Sequence, residues 1–300
     1  MKAKRDFWIG ILIGILAVAL FSSKAVMVKL AYQYNVDAIT ILLLRMLFAF
    51  PFYVIIAFKF RKQKENITKK DYAWLILFGL VGYYLASYFD FEGLSYIKAS
   101  LERIILFLYP TIVLFLNRIF LKKPITKVQI LAILLTYVGV VIAFVDELEF
   151  SGNAVYKGVF FIVLSAITYA SYLVGSGWLI PKFGVMKFTA NAMLVSCFSV
   201  FIHFTIVSDV ALLGLPWQVY AYGGLIAIFA TVIPSFLVSK SIKMISSSNF
   251  AIVAGIGPIS TIILATVFLD EVLTFLQMVG ALVVITGIVI LSLKKEKSKK

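Results

Sequence analysis

From end to end this chain is a series of apolar runs, most near the length of about 20 residues that lets a helix cross a bilayer. They cover roughly 8–32, 38–58, 72–91, 96–117, 128–145, 157–180, 187–208, 216–239, 245–269 and 274–293. The gaps between them are short and carry Gly, Pro, Asn, Asp or charge, and the longest, 59–71, reads KFRKQKENITKKD. No stretch remains for a soluble domain. Hydrophobic residues make up 62% of the 300 and charged residues 14%, far from the balance of about 25% charge in soluble domains. A soluble metabolic enzyme is thereby excluded. One Cys and one His (Cys197, His203) exclude a disulfide framework and a Cys-rich or poly-His metal centre, so no metal and no cofactor is expected.

The chain repeats itself at an offset of 148. Gly10 falls on Gly158, Ser87 on Ser235, Ser100 on Ser248, Pro110 on Pro258, Thr126 on Thr274, Gln129 on Gln277 and Gly139 on Gly287. This gives two units, 1–148 and 149–300, of five spans each. An odd number of spans makes the second unit enter the membrane from the opposite side, the inverted repeat found in many secondary transporters. The expected fold is an all-α integral membrane protein of ten transmembrane helices in two inverted five-helix repeats. Met1–Arg5 with the following apolar run and Ala17-Val18-Ala19 resembles a signal peptide. The run continues to Leu30, and its counterpart is the sixth run, so it reads as a first transmembrane helix.

The net charge of +14 is a topology signal. With the N-terminus inside, 22 of the 28 Lys and Arg lie at inner ends, while Asp37, Glu92, Asp146, Glu147, Glu149, Asp209, Asp270 and Glu271 lie outside. Both termini are therefore expected in the cytoplasm and the chain in the cytoplasmic (inner) membrane. The basic inner face suits anionic lipid headgroups, and nucleic acid is not needed to explain it. A homodimer is compatible with the sequence.

Thr126-x-x-Gln129 and Thr274-x-x-Gln277 form capping boxes that open the fifth and tenth helices. Pro110 and Pro258 lie inside the fourth and ninth runs, where each removes a backbone hydrogen bond and bends the helix. They serve packing or gating. Gly255 and Gly257 beside the second allow close helix approach. With Gly257-Pro258, Asp270-Glu271, Thr274, Gln277, Gly280 and Gly287, echoed by Ala99-Ser100, Pro110, Thr126, Gln129 and Gly139, the chain resembles the EamA group of the drug/metabolite transporter superfamily. The resemblance covers essentially the whole chain and implies ten helices in two repeats. It implies a carrier and leaves the substrate open, since the superfamily handles amino acids, amines, nucleotide sugars and sugar phosphates. Lys123 departs from the pattern where the second repeat has Glu271, as the charge rule alone would arrange.

Ionisable residues inside a membrane are costly, at least about 2.5–3.5 kcal/mol each, and mark function by default. Lys24, Arg45, Glu102 and Arg103 are the candidates, and their counterparts Tyr172, Met193, Phe250 and Ala251 are uncharged. The chemistry therefore concentrates in the first repeat. Lys29, Asp90 and Lys98 are expected nearer the outer surface. The four inner charges sum to +2, or +1 with Asp90, which suits a carboxylate or phosphate bound by Arg in bidentate fashion and by Lys as a point charge. Each has a second reading. Arg45, eight residues into its run, can snorkel or hold a structural partner. Glu102 can pair with Lys98, bind a substrate amine or carry a coupling proton. Glu102 and Arg103 project about 100° apart and should not meet at one spot. Ser23, Tyr88 and Tyr172 complete the substrate-binding candidates, with aromatics of the third and sixth spans as walls or as packing.

The expected function is secondary transport, as exporter or exchanger, of a small anionic or zwitterionic metabolite such as an amino acid, with uptake as the alternative. The chain has no G-x-x-x-x-G-K-[ST] loop for ATP, no carboxylate cluster for a metal-dependent lipid transferase, and no Ser-His or paired-Asp arrangement of an intramembrane protease. It therefore reads as a non-enzyme. A membrane scaffold that transports nothing is the remaining alternative.

Overall fold

The computed structural model describes residues 2–61, 67–97, 99–144, 153–268 and 275–292, all in helices and short connections. Lys98, the acidic segment 146–149, the Asp270-Glu271 pair, Thr274 and the C-terminal lysines lie outside the described residues, and so does the second capping box.

The first half runs α1 (Lys2–Tyr32), α2 (Ala38–Lys59), α3 (Lys69–Gly79), a π-helical turn (Leu80–Leu85), α4 (Ala86–Tyr96), α5 (Ala99–Leu106), α6 (Tyr109–Phe120) and α7 (Lys127–Phe144). The second runs α8 (Asn153–Phe183), α9 (Val185–Val207), α10 (Trp217–Ala227), a π-helical turn (Ile228–Val232), α11 (Ile233–Ile245), α12 (Ser247–Val253), α13 (Ile256–Phe268) and α14 (Phe275–Ser292). Subtracting 148 lays two irregularities of the second half on or within one residue of two in the first. The π turns coincide, and so do the interruptions between α5 and α6 and between α12 and α13.

Among the described residues, seven helical stretches are long and apolar enough to cross a membrane: Arg5–Tyr32, Ala38–Lys59, Lys69–Tyr96, Ala154–Phe183, Val185–Val207, Trp217–Ile245 and Ser247–Phe268. Tyr109–Phe120, Lys127–Ile142 and Met278–Ile290 are apolar but shorter. The expected run 96–117 is split, because α5 stops at Leu106. The bent helices foreseen at Pro110 and Pro258 are in fact broken helices. Pro110 lies in the first turn of α6 and Pro258 in the first turn of α13. There the missing N–H removes no intrahelical bond, so proline starts the second half-helix instead of straining a continuous one.

Glycines set the packing. A Cβ on Gly10 would lie 2.6 Å from the Ile245 side chain, and one on Gly158 would lie 2.6 Å from the side chain of Ile97, the counterpart of Ile245. A Cβ on Gly139 would meet Val284, and one on Gly287 would meet Thr136, again reciprocal positions. Gly139 faces 280–284 while Gly287 faces 132–136, so the equivalent helices α7 and α14 pack antiparallel. Polar groups close the helix ends. Thr126 and Gln129 form the expected box, with Gln129 Oε1 accepting from the Thr126 N–H at 3.1 Å and Thr126 Oγ1 from the Gln129 N–H at 3.3 Å. Thr68 and Asp71 form a second box at α3, and Lys182 at the end of α8 reaches Asp71 Oδ1 at 2.6 Å.

The polarity is inverted relative to a soluble protein. Leu12, Ile55, Phe120, Ile206 and Val267 are exposed, whereas Lys24, Arg45, Asp90, Glu102 and Arg103 are buried. An apolar outer surface around a charged interior fits hydrocarbon as the solvent.

Candidate functional site

A cavity of about 730 Å³, its open mouth included, lies between the two halves. Residues from α1, α2, the first π turn, α4, α5, α6, α8, α11, α12 and α13 line it, and Lys24, Arg45, Asp90 and Arg103 are its charged members. The irregular turns face this space. Gly82 and Tyr83 come from the first π turn, and Gly257 and Pro258 from the start of α13. π turns recur at functional sites because the extra residue re-aims side chains. Gly82 is required here, since a Cβ would lie 2.4 Å from the Tyr172 Cβ and under 3 Å from its backbone.

Lys24 on α1 pairs with Asp90 on α4. Its Nζ also lies 3.8 Å from Glu102 Oε1, and Glu102 Oε2 lies 3.0 Å from Arg103 Nε. The 100° separation of successive helical residues was expected to keep Glu102 and Arg103 apart, but the long guanidinium side chain bends back across it. Asp90 is 3% exposed and belongs to the cluster.

Arg45 is 1% exposed, so it does not snorkel. Its Nε donates to Thr231 Oγ1 at 2.6 Å and its Nη1 to Ser87 Oγ at 3.2 Å. The guanidinium lies 5.3 Å from the Phe91 ring centre and 5.9 Å from that of Tyr83. It has no carboxylate within ion-pair distance among the described residues, and Nη2 has no partner. Among the described residues three buried cations thus face two buried carboxylates, and Arg45 is the cation with no carboxylate at ion-pair distance.

The walls are aromatic. Tyr109 meets Tyr169 edge-on at 5.3 Å, and Phe21 lies 6.3 Å from Tyr169. The Tyr83 hydroxyl is buried without a partner among the described residues.

Of the expected site residues, the structure brings together Lys24, Arg45 and Arg103 at the cavity, with Glu102 directly behind. Pro258 lines it, while Pro110 sits just beyond Tyr109. Ser23 does not reach it, because its hydroxyl turns back to the Leu20 carbonyl at 2.7 Å. The neighbouring Ser22 instead bridges to the Gly257 carbonyl at 3.1 Å. Tyr88 lies on another face, 4.7 Å from the His203 ring. Tyr172 packs one layer back, edge-on to Tyr83 at 5.1 Å. Ser87 and Thr231 are the residues that sequence reasoning missed, while Asp90, counted in the charge sum, and Tyr83, among the third-span aromatics, were not chosen as site residues. Asp90 had a signal, a carboxylate inside an apolar run; the two hydroxyls had none, because Ser and Thr are common in membrane helices.

The EamA-like transporter family matches twice, at residues 8–145 and 156–293. An uncharacterized transporter of Bacillus subtilis (strain 168), YcbK, is 30% identical over 98% of this chain and 97% of its own. An uncharacterized transporter of Archaeoglobus fulgidus is 23% identical over 77% of this chain and 81% of its own. A chain of known crystal structure shares the fold, with a TM-score of 0.77 at 13% identity over 95% of this chain and 98% of that one. With both halves matched and a relative at this identity over nearly the full length, the chain is a multi-pass membrane protein that belongs to the EamA-like transporter family.

Proposed function

We propose that this protein is a secondary carrier that moves a small organic anion or zwitterion across the cytoplasmic membrane, as exporter or exchanger, by alternating access. All ten apolar runs cross the bilayer in this reading, with both termini inside. The antiparallel packing of α7 against α14 supports an inverted relation of the two repeats. The observation that carries the substrate class is Arg45, a buried cation at the cavity with hydroxyl and aromatic neighbours, no carboxylate partner among the described residues and a free N–H. A substrate carboxylate or phosphate supplies the missing anion. At 6 Å and an effective dielectric of 20, two unit charges attract by about 3 kcal/mol, enough to separate anion from cation. Lys24 is already neutralised by Asp90 and Glu102. It tunes the site, and Arg45 binds.

The test is a thermal-shift panel on purified protein with amino acids, other carboxylates, organophosphates and organic cations. Stabilisation should come from anionic or zwitterionic members, vanish in Arg45→Gln and return in part in Arg45→Lys, since Lys lacks the planar fork. Preferential stabilisation by organic cations, or an unchanged response in Arg45→Gln, would refute the reading.

A further inference from the structure

A second cavity, of about 640 Å³ with its open mouth included, lies at the end of the molecule that the charge rule assigns to the cytoplasm. Lys123 of the α6–α7 connection, Pro181 of α8, Ile242 and Lys243 of α11, Ser246 and Asn249 are among its walls; both lysines are exposed, and no carboxylate among the described residues lines it. Its polar lining and two ammonium groups match the charge preference of the central cavity.

The partition between the two cavities is thin. Val238 lines the central cavity and Ile242, one helical turn further along α11, lines the second. On α12, Phe250 lines the central cavity and its neighbour Asn249 the second. Val238, Ile242 and Phe250 are 4%, 3% and 1% exposed, so buried side chains separate the two cavities. Phe250 is the largest of them, and it also packs against α1, where a Cβ on Gly14 would lie 3.5 Å from its ring.

The segment that carries Phe250 is a short buried helix set off at both ends. α12 spans only Ser247–Val253. Ser246 before it has φ 74° and ψ 158°, a region that residues other than glycine rarely adopt and one associated with switch segments. Residues 254–255 after it break the helix ahead of α13. Side chains hold α12 in place at its cytoplasmic end. Asn117 Nδ2 donates to Ser247 and Ser248 at 3.1 and 3.0 Å, and Gln129 Nε2 to Asn249 at 2.9 Å. Such bonds can be exchanged for water when the segment swings.

We propose that the second cavity is a cytoplasmic anion site on the same path, that Phe250 is the plug between the two sites, and that α12 hinges at Ser246 and at 254–255 to pass an organic anion between Arg45 and the Lys123–Lys243 pair. This rests on the carrier reading given above. It adds a site and a gate to that reading.

Thiol labelling tests both parts without a known substrate. Cys197 is the sole cysteine and is buried, so Cys197→Ser gives a silent background. In inside-out vesicles, Ser246→Cys should react faster with an anionic than with a cationic methanethiosulfonate. Lys123→Gln/Lys243→Gln should lower that ratio about tenfold, as expected for a cationic site of this kind. Ser87→Cys, in the central cavity, should react slowly from the cytoplasmic side and severalfold faster when combined with Phe250→Ala. Phe250→Leu, a milder cut that guards against misfolding, should move the rate in the same direction. An unchanged charge ratio in the double Gln variant would overturn the anion site. Unchanged cytoplasmic labelling of Ser87→Cys in both Phe250 variants would overturn the plug. Both readouts are rates of thiol modification and need no bound substrate. A carrier reading that fails on Arg45→Gln is thus distinguishable from a failure of this path.

Discussion

Replacing Asp90 with Asn probes whether the charge cluster is held by shared ion pairs. Lys24 has two carboxylates, Asp90 in direct contact and Glu102 at 3.8 Å, and the side chains are 4%, 4% and 0% exposed. Removing one member of a buried pair costs about 3–5 kcal/mol, because the other charge is left in a medium that cannot solvate it. Glu102 softens that loss. At 3.8 Å and an effective dielectric of 20 it still attracts Lys24 by about 4 kcal/mol. Asp90→Asn alone should therefore fall at the lower end, about 3 kcal/mol. Lys24→Met alone should cost about as much, since among the described residues it leaves the two carboxylates with only Arg103 nearby. The double variant Lys24→Met/Asp90→Asn should cost much less than the sum, with a coupling energy of about 2 kcal/mol or more. Neutral hydrogen bonds between membrane helices average about 0.6 kcal/mol and reach about 1.7, so a coupling above that range identifies an ion pair. The assay is unfolding of purified protein by denaturing detergent in mixed micelles, analysed as a double-mutant cycle. Additivity of the two single changes within about 0.5 kcal/mol would refute the pairing.

Gly82→Ala should destabilise the fold by about 1–3 kcal/mol, because the added methyl meets the Tyr172 backbone and Cβ, which cannot turn away. Gly224→Ala, whose nearest new contact is Phe48 at 4.0 Å, should be neutral or stabilise by up to about 1 kcal/mol through helix propensity. Thermal unfolding of the pair in detergent checks both, and equal effects would contradict the close approach at the π turn. Cysteine labelling in whole cells, on the Cys197→Ser background, should modify a probe at Asn153 from outside and spare one at Asn66. The reverse pattern would turn the molecule over.

The apolar runs, the offset of 148 and the Lys/Arg partition were readable from the chain alone, because membrane insertion acts on local composition and a gene duplication leaves its register behind. For the same reason Lys24, Arg45, Glu102 and Arg103 stood out, since a charge inside an apolar run is costly wherever it lands. Which of them share a space was not readable. Lys24 and Asp90 are 66 positions apart and Arg45 and Thr231 are 186 apart, and only the packing of α1 on α4 and of α2 on the second π turn brings them together. The breaks at 107–108 and 254–255 were likewise beyond the sequence. A proline in an apolar run is compatible with a bent helix or with the first turn of a new one, and the choice depends on whether neighbours satisfy the freed backbone groups. Ser23 shows the limit most plainly. Ser22 and Ser23 both turn back to their own helix, at the Val18 and Leu20 carbonyls, but the packing of α1 against α13 also brings the Gly257 carbonyl within 3.1 Å of Ser22 and not of Ser23. Composition selects which residues are exceptional, and helix rotation and interhelical contact, which no local pattern encodes, decide what each one faces.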